Sequence, residues 1–600
     1  MLRPAEPKSK EKMNGACHTE SMSIRSRFLF FAVWLTLVNA VVAGIIPADR
    51  RIEWRPGIPG GIPVRTVIFA NVKDAPYNAR GDGLSDDTDA LQNAIEACPS
   101  NQVVYLPAGV YRITNSIFVR HGGITIRGDG PDKTQIKYHG PPGLVLNMQT
   151  GFYDYDFARS TPYDLTSGYE KGSTNVVTAT NDWNEGDIIL FDQLNDDSYL
   201  VFGTGDSGHC NWCGRLSGNR ASGQLVEILS RTETDLVFDQ PLYRAYTGAL
   251  SPQGIKVTGV LRWTGIEDLT VTNVTSTLDT VWLHGAAYCW FKNVRLDRSH
   301  RRHIWMAHDY RCEIRDCLFR FGEGPLWTDS YGPDRAYGVF LGNMSTACLV
   351  ENNAFYTLHV SLALEGGPSG NVIAYNFVTN VIFNNPEWTQ PAFAQHAPHP
   401  MMNLIEGNHF ASRVVSDFTW GSASHNTYFR NRVYDGLRPQ INYGIWEMDI
   451  FKTHYYENVV GNVFGRVGFE RIYETENKNF NLYGDRGIYR LGYVNAGDDN
   501  PAGNDPRVKA TVLRHGNWDS VSQLVIWNSN IVDTNLPPSL YLTNKPAWWG
   551  DLSWPPHGGD RSPMVGVIPA EARFLSTLGT VKRPPPPQNP RIVVQKEPVN

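Results

Sequence analysis

The chain has 600 residues, of which 41% are apolar and 19% are charged, and its net charge is −6. This length and apolar content are ample for a large core, and the mild negative charge argues against nucleic acid as a partner. Aromatic residues make up 12% of the chain and include 17 Trp. Part of this aromatic surplus is available to stack on sugar rings in a groove.

The N-terminus has the order of a secretory signal. Residues 1–27 are polar, and Arg25 and Arg27 precede an apolar run over residues 28–43. We predict a signal peptide over residues 1–43, cleaved after Ala43, and a protein that is extracellular or periplasmic. The alternative is an uncleaved membrane anchor, because the apolar run continued through Ile46 approaches spanning length.

Residues 44–140 are predicted to form an N-terminal cap and the first coils of a solenoid. After a Pro- and Gly-rich lead, Asp87 or Thr88 can cap a helix, and the residues that follow place apolar side chains at helical spacing. Strands are predicted over residues 103–113 and 124–128. A short amphipathic helix beside the first coil would close the open end of the solenoid.

The same region carries a specific resemblance. The segment Gly81-Asp-Gly-Leu-Ser-Asp-Asp-Thr-Asp-Ala-Leu-Gln-Asn-Ala-Ile95 is followed by Val104-Tyr-Leu-Pro-Ala-Gly-Val-Tyr111. Together they resemble the opening of the pectate lyase superfamily domain, shared by family 28-related proteins, some exo-1,3-glucanases and phage tailspikes. The resemblance implies a right-handed parallel β-helix and a carbohydrate ligand, without implying pectate. It also implies structural rather than catalytic roles for Asp82, Asp86 and Asp87.

Residues 141–255 interrupt this pattern with short strands and polar turns, which predicts a small inserted β subdomain. Within it, Cys210 and Cys213 are spaced to close a loop by a disulfide in an oxidising compartment. A zinc site would need further ligands, and only His209 lies nearby.

Residues 256–535 contain a repeated phrase in which Asn or Asp precedes apolar residues. The repeats are separated by 23 to 37 residues, and the base period is near 23. The repeated residues are Asp268, Asn293, Asp316, Asn353, Asn376, Asn408, Asn431 and Asn462. A fixed period of this length indicates a solenoid, and the β-branched and aromatic residues indicate strands. We therefore predict an all-β protein whose main body is a right-handed parallel β-helix with an Asn ladder; the alternative is a β-sandwich.

Further features of this body follow from the period. Cys289, Cys312 and Cys348 keep similar distances from the repeated residues, and we interpret them as small side chains stacked inside the coil. The last coil is predicted near residues 524–532, and residues 536–600 are predicted to be an irregular, Pro-rich C-terminal tail.

Three repeats are longer than the base period, so we expect three loops on one edge of the solenoid, at residues 322–335, 384–399 and 435–449. We predict that substrate-binding side chains lie on these loops and on the coil near residue 420. They are Trp327, Tyr331, Arg335, Trp388, Trp420 and Trp446.

The catalytic candidates are identified by their distance in sequence from the repeated Asn residues. Glu365 lies 11 residues before Asn376, and Trp420 lies 11 before Asn431. We expect these two positions to be equivalent and two coils apart, at about 10 Å. Asp417 lies close by, so two carboxyl groups approach the separation of roughly 6.5–9.5 Å used by inverting glycosidases.

Other residues complete the predicted site. His396 and His399 belong to the intervening coil, and Asp449 is a reserve candidate. The His-x-x-His spacing also suggests a metal, but it lacks a helix or an adjacent carboxylate, so we predict neither a metal nor a cofactor.

The leading functional hypothesis is a secreted glycoside hydrolase acting on a polysaccharide. Glu365 and Asp417 would share the acid and base roles, and His396 and His399 would orient or tune them. One alternative is a polysaccharide lyase acting on a uronate, with His399 or Arg413 as base and Ca²⁺ bound by Asp417. The other is a non-catalytic glycan-binding surface protein.

Residues 396–431 resemble secreted bacterial β-helix proteins. The chain departs from family 28 polygalacturonases, since their Asn-Thr-Asp, Gly-His-Gly and Arg-Ile-Lys motifs are absent. Their catalytic residues are therefore not transferred to this chain.

Overall fold

The computed structural model describes residues 44–151, 160–203, 208–275, 278–322, 336–383, 390–435, 445–475, 486–494 and 504–578. Across these ranges the chain winds through three long sheets, which are parallel apart from one terminal strand pair, and successive coils add one strand to each. The predicted parallel β-helix is confirmed. No helix within the described ranges is both long and apolar enough to cross a membrane.

Sheet 1 has 12 strands. They are Ile68–Asn71, Val103–Leu106, Thr125–Gly128, Gly265–Glu267, Trp290–Lys292, Glu313–Arg315, Leu349–Glu351, Val372–Ala374, Leu404–Glu406, Thr427–Phe429, Asn458–Val460 and Leu513–His515. Sheet 2 has 13 strands. They are Asp82–Asp86, Gly109–Ile113, Thr134–Tyr138, Thr270–Asn273, Arg295–Asp297, Leu318–Arg320, Ala354–Tyr356, Phe377–Thr379, His409–Phe410, Arg432–Val433, Val463–Phe464, Asn517–Asp519 and Val525–Ile526.

Sheet 3 has 11 strands and positions the candidate site. They are Ile117–Val119, Leu146–Met148, Val281–His284, Arg302–Ala307, Tyr337–Gly342, Val360–Glu365, Phe393–Gln395, Val414–Ser416, Ile445–Phe451, Ile472–Thr475 and Arg486–Tyr493. Alternating side chains of a strand face opposite sides of a sheet. Leu283, Met306, Leu341 and Leu364 occupy one register position on neighbouring strands and are fully buried in the core.

The predicted Asn ladder is present, but its residues fall in two adjacent columns. The inner column holds buried Asn side chains, each donating its Nδ2–H to the Oδ1 of the next at 2.9–3.0 Å. Its members are Asn353, Asn376, Asn408, Asn431, Asn462 and Asn517. The ladder is stabilising because each buried amide has its partners supplied by neighbouring coils.

Asp268, Asn293 and Asp316 belong to the preceding position, where the chain turns with a positive φ of 52–59°. Asn and Asp tolerate this left-handed conformation better than most residues. The prediction that all eight residues form one ladder is therefore wrong for these three, since a bend residue and a ladder residue are consecutive in each coil. A second ladder, which the sequence analysis missed, joins Asn371, Asn403 and Asn426.

The N-terminal cap contains a helix, Thr88–Ala97, whose residues Leu91, Ala94 and Ile95 are buried against the first coils. Asp87 precedes this helix without capping it through its side chain. Its carboxylate instead accepts hydrogen bonds from the backbone N–H groups of Arg80 at 2.6 Å and Gly81 at 2.9 Å. The carboxylate therefore holds the Gly-rich turn that precedes the helix.

The predicted insertion forms a closed barrel of six strands. The strands are Pro162–Ser167, Asn175–Thr178, Ile188–Asp192, Gly223–Arg231, Asp235–Phe238 and Gln253–Lys256. Cys210 and Cys213 form a disulfide in the long connection between its third and fourth strands. Cys289, Cys312 and Cys348 are free and buried in the coil, as predicted.

The end of the solenoid differs from the prediction. The strand Val525–Ile526 runs antiparallel to Asn517–Asp519, so the last coil lies at residues 513–519 rather than 524–532. Beyond it the chain is mainly irregular to residue 568 and then forms the helix Pro569–Leu578. Residues 579–600, which the predicted tail also includes, lie outside the described ranges.

The first described residues return along the outside of the solenoid. Arg50 donates to the carbonyl oxygen of Thr511, and the indole N–H of Trp54 donates to that of Met402. Farther along, the guanidinium of Arg65 donates to the carbonyl oxygen of Trp263. We call residues 44–66 the N-terminal strap, because they run from the last coils back to the first.

Candidate active site

Three predicted residues form one row on the outer face of sheet 3. Glu365 ends its strand, and the backbone N–H of His396 donates to the carbonyl oxygen of Leu364 at 3.0 Å. The N–H of Asp417 donates in turn to the carbonyl oxygen of Gln395 at 3.0 Å. Because Leu364 points into the core, the residues that follow it in register point outward. We call these three residues the Glu365–His396–Asp417 row.

The register corrects one step of the sequence analysis. Ser416 pairs with Gln395, which pairs with Leu364, so Asp417 and not Trp420 is equivalent to Glu365. Asp417 lies 14 residues before Asn431, three more than the 11 between Glu365 and Asn376. Because of these three extra residues, counting back 11 from Asn431 reaches Trp420 instead of Asp417. The two carboxyl-bearing residues are therefore two coils apart, or about 9.6 Å at the usual strand spacing.

His396 and Asp417 form an ion pair. Nδ1 of His396 donates to Oδ2 of Asp417 at 2.7 Å, and the backbone N–H of Thr419 donates to Oδ1 at 2.9 Å. Burial alone would lower the pKa of His396, but the charge and hydrogen bond of Asp417 raise it to about 9. The same contact holds the pKa of Asp417 below its usual value despite burial. At neutral pH the pair is thus imidazolium and carboxylate.

The pKa of Glu365 is shifted in the opposite direction from that of Asp417. Burial raises the pKa of its carboxyl group to about 7, opposed by the positive charge of His396 and reinforced by the negative charge of Asp417. A carboxyl group with this pKa carries a proton for much of the time near neutral pH. This is the property required of a general acid.

The neighbouring outward row forms an apolar floor that changes in size along the solenoid. Trp305 and Phe340 are in register with Ala363, Ala394 and Val415. The large rings of Trp305 and Phe340 therefore lie on the two coils before Glu365, whereas the smaller side chains lie beside the Glu365–His396–Asp417 row. All five of these side chains are buried.

Asp449 lies on the same sheet but is engaged by two arginines. It is in register with Val415 and Arg490. Arg413 donates to its carboxylate at 3.0 Å and Arg490 donates at 2.8 Å. The carboxylate is fully buried, so its role in this arrangement is to hold an ion cluster together.

His399 does not reach the row. Its ring is fully buried, with Nε2 2.7 Å from Oγ of Ser424 and Nδ1 3.1 Å from Oγ of Ser422. The ring of Tyr199, from the insertion, packs 5.3 Å away. Burial lowers the pKa of His399 well below its usual value. The structure therefore places His399 in the contact between solenoid and insertion.

The predicted substrate-binding residues divide into three groups. Trp420 is partly exposed and packs edge-on against Trp212 of the insertion, with ring centroids 5.6 Å apart. Trp446 is buried, and Gly487 lies directly against its ring, where a Cβ would come within 2.2 Å. The remaining predicted residues lie outside the described ranges: Trp327, Tyr331, Arg335 and Trp388.

Trp212 is a candidate that the sequence analysis missed. In the sequence, only its position between Cys210 and Cys213 sets Trp212 apart from the other Trp residues. Its contact with Trp420 joins residues far apart in the chain, so the sequence does not reveal it. A disulfide of this kind fixes the position of a side chain that it encloses, but the spacing alone does not reveal which coil that side chain meets.

A separate cavity of about 440 Å³ lies on sheet 1, between the N-terminal strap and the C-terminal segment. The charged groups on its wall are paired with one another: Arg315 contacts Glu351, and the hydroxyl of Tyr541 donates to Glu351 at 2.7 Å. Because these groups satisfy each other, the row on sheet 3 is the better candidate for chemistry. In the described part of the chain, no cluster of three or more His, Cys, Asp or Glu side chains is arranged to hold a metal ion.

Comparison with known proteins identifies related sequences. Mannuronan C5-epimerase AlgE3 of Azotobacter vinelandii is 44% identical over 127 residues, which cover 20% of this chain and 7% of that protein. Glucan endo-1,3-beta-glucosidase BGN13.1 of Trichoderma harzianum is 28% identical over 211 residues, which cover 32% of this chain and 26% of that protein. The matches thus span a minor part of each relative.

Among solved structures, the tailspike protein gp49 of Pseudomonas phage LKA1 is similar with a TM-score of 0.48 and 15% identity, covering 69% of this chain and 67% of that one. Residues 69–161 match the family model described as rhamnogalacturonase A/epimerase, pectate lyase-like. This match and the stacked parallel sheets that follow show that the chain is a parallel β-helix protein whose first coils are pectate-lyase-like.

Proposed function

We propose that the protein is an exported polysaccharide-cleaving enzyme, and specifically a glycoside hydrolase that acts through the Glu365–His396–Asp417 row. The observation that carries the proposal is the presence of two carboxyl groups of opposite protonation on one face, two coils apart. Glycoside hydrolysis requires such a pair, one carboxyl to protonate the leaving oxygen and one carboxylate to activate water.

The roles follow from the surroundings of each group. Glu365, with a pKa of about 7, donates its proton to the glycosidic oxygen. Asp417, kept ionised by His396, accepts the proton of the attacking water through a lone pair not used by His396 or Thr419, since a carboxylate can accept about four hydrogen bonds. His396 positions Asp417 and lies between the two coils. The spacing of two coils, about 9.6 Å between strands, is close to the upper end of the range of roughly 6.5–9.5 Å between carboxyl groups in inverting enzymes, so we propose inversion.

A second candidate is cleavage of a uronate-containing polysaccharide by β-elimination. The observation that favours it is the protonated His396 beside Glu365. The imidazolium would neutralise a uronate carboxylate, and ionised Glu365 would remove the C5 proton as the C4–O bond breaks and the departing oxygen takes a proton from water. The similarity to an enzyme named for its action at C5 of mannuronan supports a uronate substrate. The two candidates need opposite protonation states of Glu365.

The test is a screen of purified protein against neutral and uronate-containing polysaccharides, with new reducing ends and ultraviolet-absorbing unsaturated products measured on the same samples. Hydrolysis yields reducing ends without unsaturation, whereas β-elimination yields both. The Glu365→Gln variant tests the row, and Glu96→Gln on the exposed face of the cap helix is its matched control. Full activity in Glu365→Gln would remove Glu365 from either mechanism.

Export is part of the proposal, because residues 1–43 have the order of a secretory signal and a polysaccharide substrate lies outside the cell. The measurement is the N-terminal sequence of protein recovered from the medium or periplasm. A mature chain that begins at Gly44 is the expected result, and retention of the full-length chain in the membrane would contradict it.

A further inference from the structure

The inserted barrel reaches the candidate site through its longest connection. This connection is described over residues 193–203 and 208–222, and its residues 201–203 pair with the coil that carries Asp417. The backbone N–H of Gly203 donates to the carbonyl oxygen of Trp420 at 2.8 Å, and that of Ser422 donates to the carbonyl oxygen of Val201 at 2.9 Å. The contact is thus a short antiparallel pairing between the insertion and the solenoid.

The sequence permits this approach because residue 203 is a glycine. A Cβ at this position would lie 2.2 Å from the carbonyl oxygen of Phe418 and 2.5 Å from that of Thr419. Both distances are shorter than van der Waals contact, so any other residue would push the insertion away. The close approach fixes the insertion against the backbone that follows Asp417.

A disulfide then holds an aromatic ring at the same place. Cys210 and Cys213 are fully buried and bonded to each other, whereas Trp212 between them is partly exposed. The ring of Trp212 meets that of Trp420 at an angle of 74°. Edge-on pairs are a favoured aromatic geometry, and both rings remain partly exposed.

The chain links the two rings to the Glu365–His396–Asp417 row. Thr419, whose N–H donates to the carboxylate of Asp417, is the residue before Trp420. Trp420 therefore lies beside Asp417 on the same coil, and a ligand on the two rings would lie to that side of the row. Binding sites commonly combine aromatic walls with a few convergent polar groups.

We propose that Trp212 and Trp420 form a sugar-binding subsite, built jointly by the insertion and the solenoid. The ligand is a pyranose unit of the polysaccharide chain, whose apolar C–H face packs on an indole ring. This inference rests on the proposed function for the identity of the polymer, and it assigns the insertion a role in holding substrate. Substrates long enough to reach from the row to this subsite then bind more tightly than shorter ones.

Binding is tested in the Glu365→Gln background, where cleavage does not consume the ligand. Affinity electrophoresis against the panel of neutral and uronate-containing polysaccharides compares this parent with Trp212→Ala, Trp212→Tyr and Trp263→Ala. Truncation of a large aromatic contact weakens binding by about tenfold. We expect that loss for Trp212→Ala, a smaller loss for Trp212→Tyr, and none for Trp263→Ala, whose ring is partly exposed on an early coil.

A second measurement needs no substitution. Oxidation of exposed Trp residues with N-bromosuccinimide, followed by peptide mass mapping, is compared with and without the polysaccharide. We expect the ligand to protect Trp212 and Trp420 but not Trp263. This measurement separates a lost contact from a misfolded variant.

The outcomes separate this inference from the proposed function. Loss of binding in Trp212→Ala together with protection of Trp212 supports the subsite even if the wild-type protein cleaves no polymer, a result that would overturn the hydrolase assignment alone. Unchanged affinity in Trp212→Ala, equal oxidation of Trp212 with and without ligand, or the absence of any bound polymer overturns the subsite.

Discussion

His396 and Asp417 lie one coil apart, and the imidazole Nδ1 is 2.7 Å from the Asp417 Oδ2. This contact keeps Asp417 ionised. Glu365 retains a proton because it is buried and lies near the negative charge of Asp417, against the opposing positive charge of His396. The proposed chemistry depends on this difference in protonation between the two carboxyl groups.

Replacement of Asp417 by Asn should lower the pKa of His396 from about 9, because the charge and the hydrogen bond that raise it are lost while the burial that lowers it remains. The measurement is the chemical shift of the His396 ring protons as a function of pH. We expect the rate of polysaccharide cleavage to fall by about 10²-fold or more. An unchanged His396 pKa would show that Asp417 does not control the histidine.

The pH dependence of cleavage should distinguish the two roles proposed for Glu365. A general acid must be protonated, so the hydrolysis rate should decline as pH rises through about 7. The pKa of Asp417 is lower than that of an ordinary Asp carboxyl group. Protonation of Asp417 should therefore not reduce the rate at any pH above that ordinary value. If the rate instead increases through pH 7, Glu365 acts as a base and elimination is favoured.

The Asn ladder should contribute measurably to stability. In Asn408→Ala the bonds that its side chain makes to Asn376, Asn431 and the carbonyl oxygen of Ile373 are lost. The buried partners are then unsatisfied, at a cost of about 1–3 kcal/mol each. We expect the free energy of unfolding in denaturant to fall by at least about 2 kcal/mol.

The control for this change is Asn380→Gly, because Asn380 has a φ of 54° and Gly adopts this left-handed conformation without steric cost. Asn380 also bonds the neighbouring coil, through Thr357 at 2.8 Å, but the bond is exposed to water. Its loss should change stability by less than about 0.5 kcal/mol. Equal effects of the two substitutions would show that burial does not decide the strength of the ladder.

Glu457 should make the fold less stable at alkaline pH. It ends the second ladder, accepting from Nδ2 of Asn426 at 3.1 Å, and burial raises its pKa to about 8. Since the folded pKa exceeds the unfolded value of about 4.5, the stabilisation is complete below pH 4.5 and is lost as pH rises through 8. Glu457→Gln removes the charge at nearly constant shape.

We therefore expect Glu457→Gln to be more stable than the wild type at pH 8.5, by about 1–3 kcal/mol, and similar to it near pH 4.5. Chemical denaturation at the two pH values measures the difference. The same substitution at exposed Glu96 should have no pH-dependent effect. A Glu457→Gln variant that loses as much stability as the wild type between these pH values would contradict the assignment.

The fold was predictable because its determinants are local and repeated. Each coil carries a bend residue, a ladder residue and alternating apolar positions, so the period near 23 is visible in one sequence. The same regularity explains the error at Asp268, Asn293 and Asp316: bend and ladder positions are adjacent, and both accept Asn. The period also predicted Asp417 to lie near Glu365, two coils away.

Other parts of the site were not predictable, because they depend on how the insertion lies on the solenoid. Counting residues made Trp420 equivalent to Glu365, but the register assigns that position to Asp417. His399 lies three residues from His396 and yet is buried beneath Tyr199, since the chain turns a corner between them. Trp212 meets Trp420 across more than two hundred residues of sequence, and no local pattern encodes that contact.

The N-terminal strap constrains the order in which the molecule assembles. Ile45 and Ile46 pack in the same apolar cluster as Trp549 and Phe574, so the earliest residues of the described chain find their partners only after the last coil has been synthesised. Trp54 and Arg65 contact earlier coils, at Met402 and Trp263, so only the first residues of the strap depend on the C-terminal segment. Chains that end before residue 549 would therefore leave the cluster around Ile45 and Ile46 incomplete.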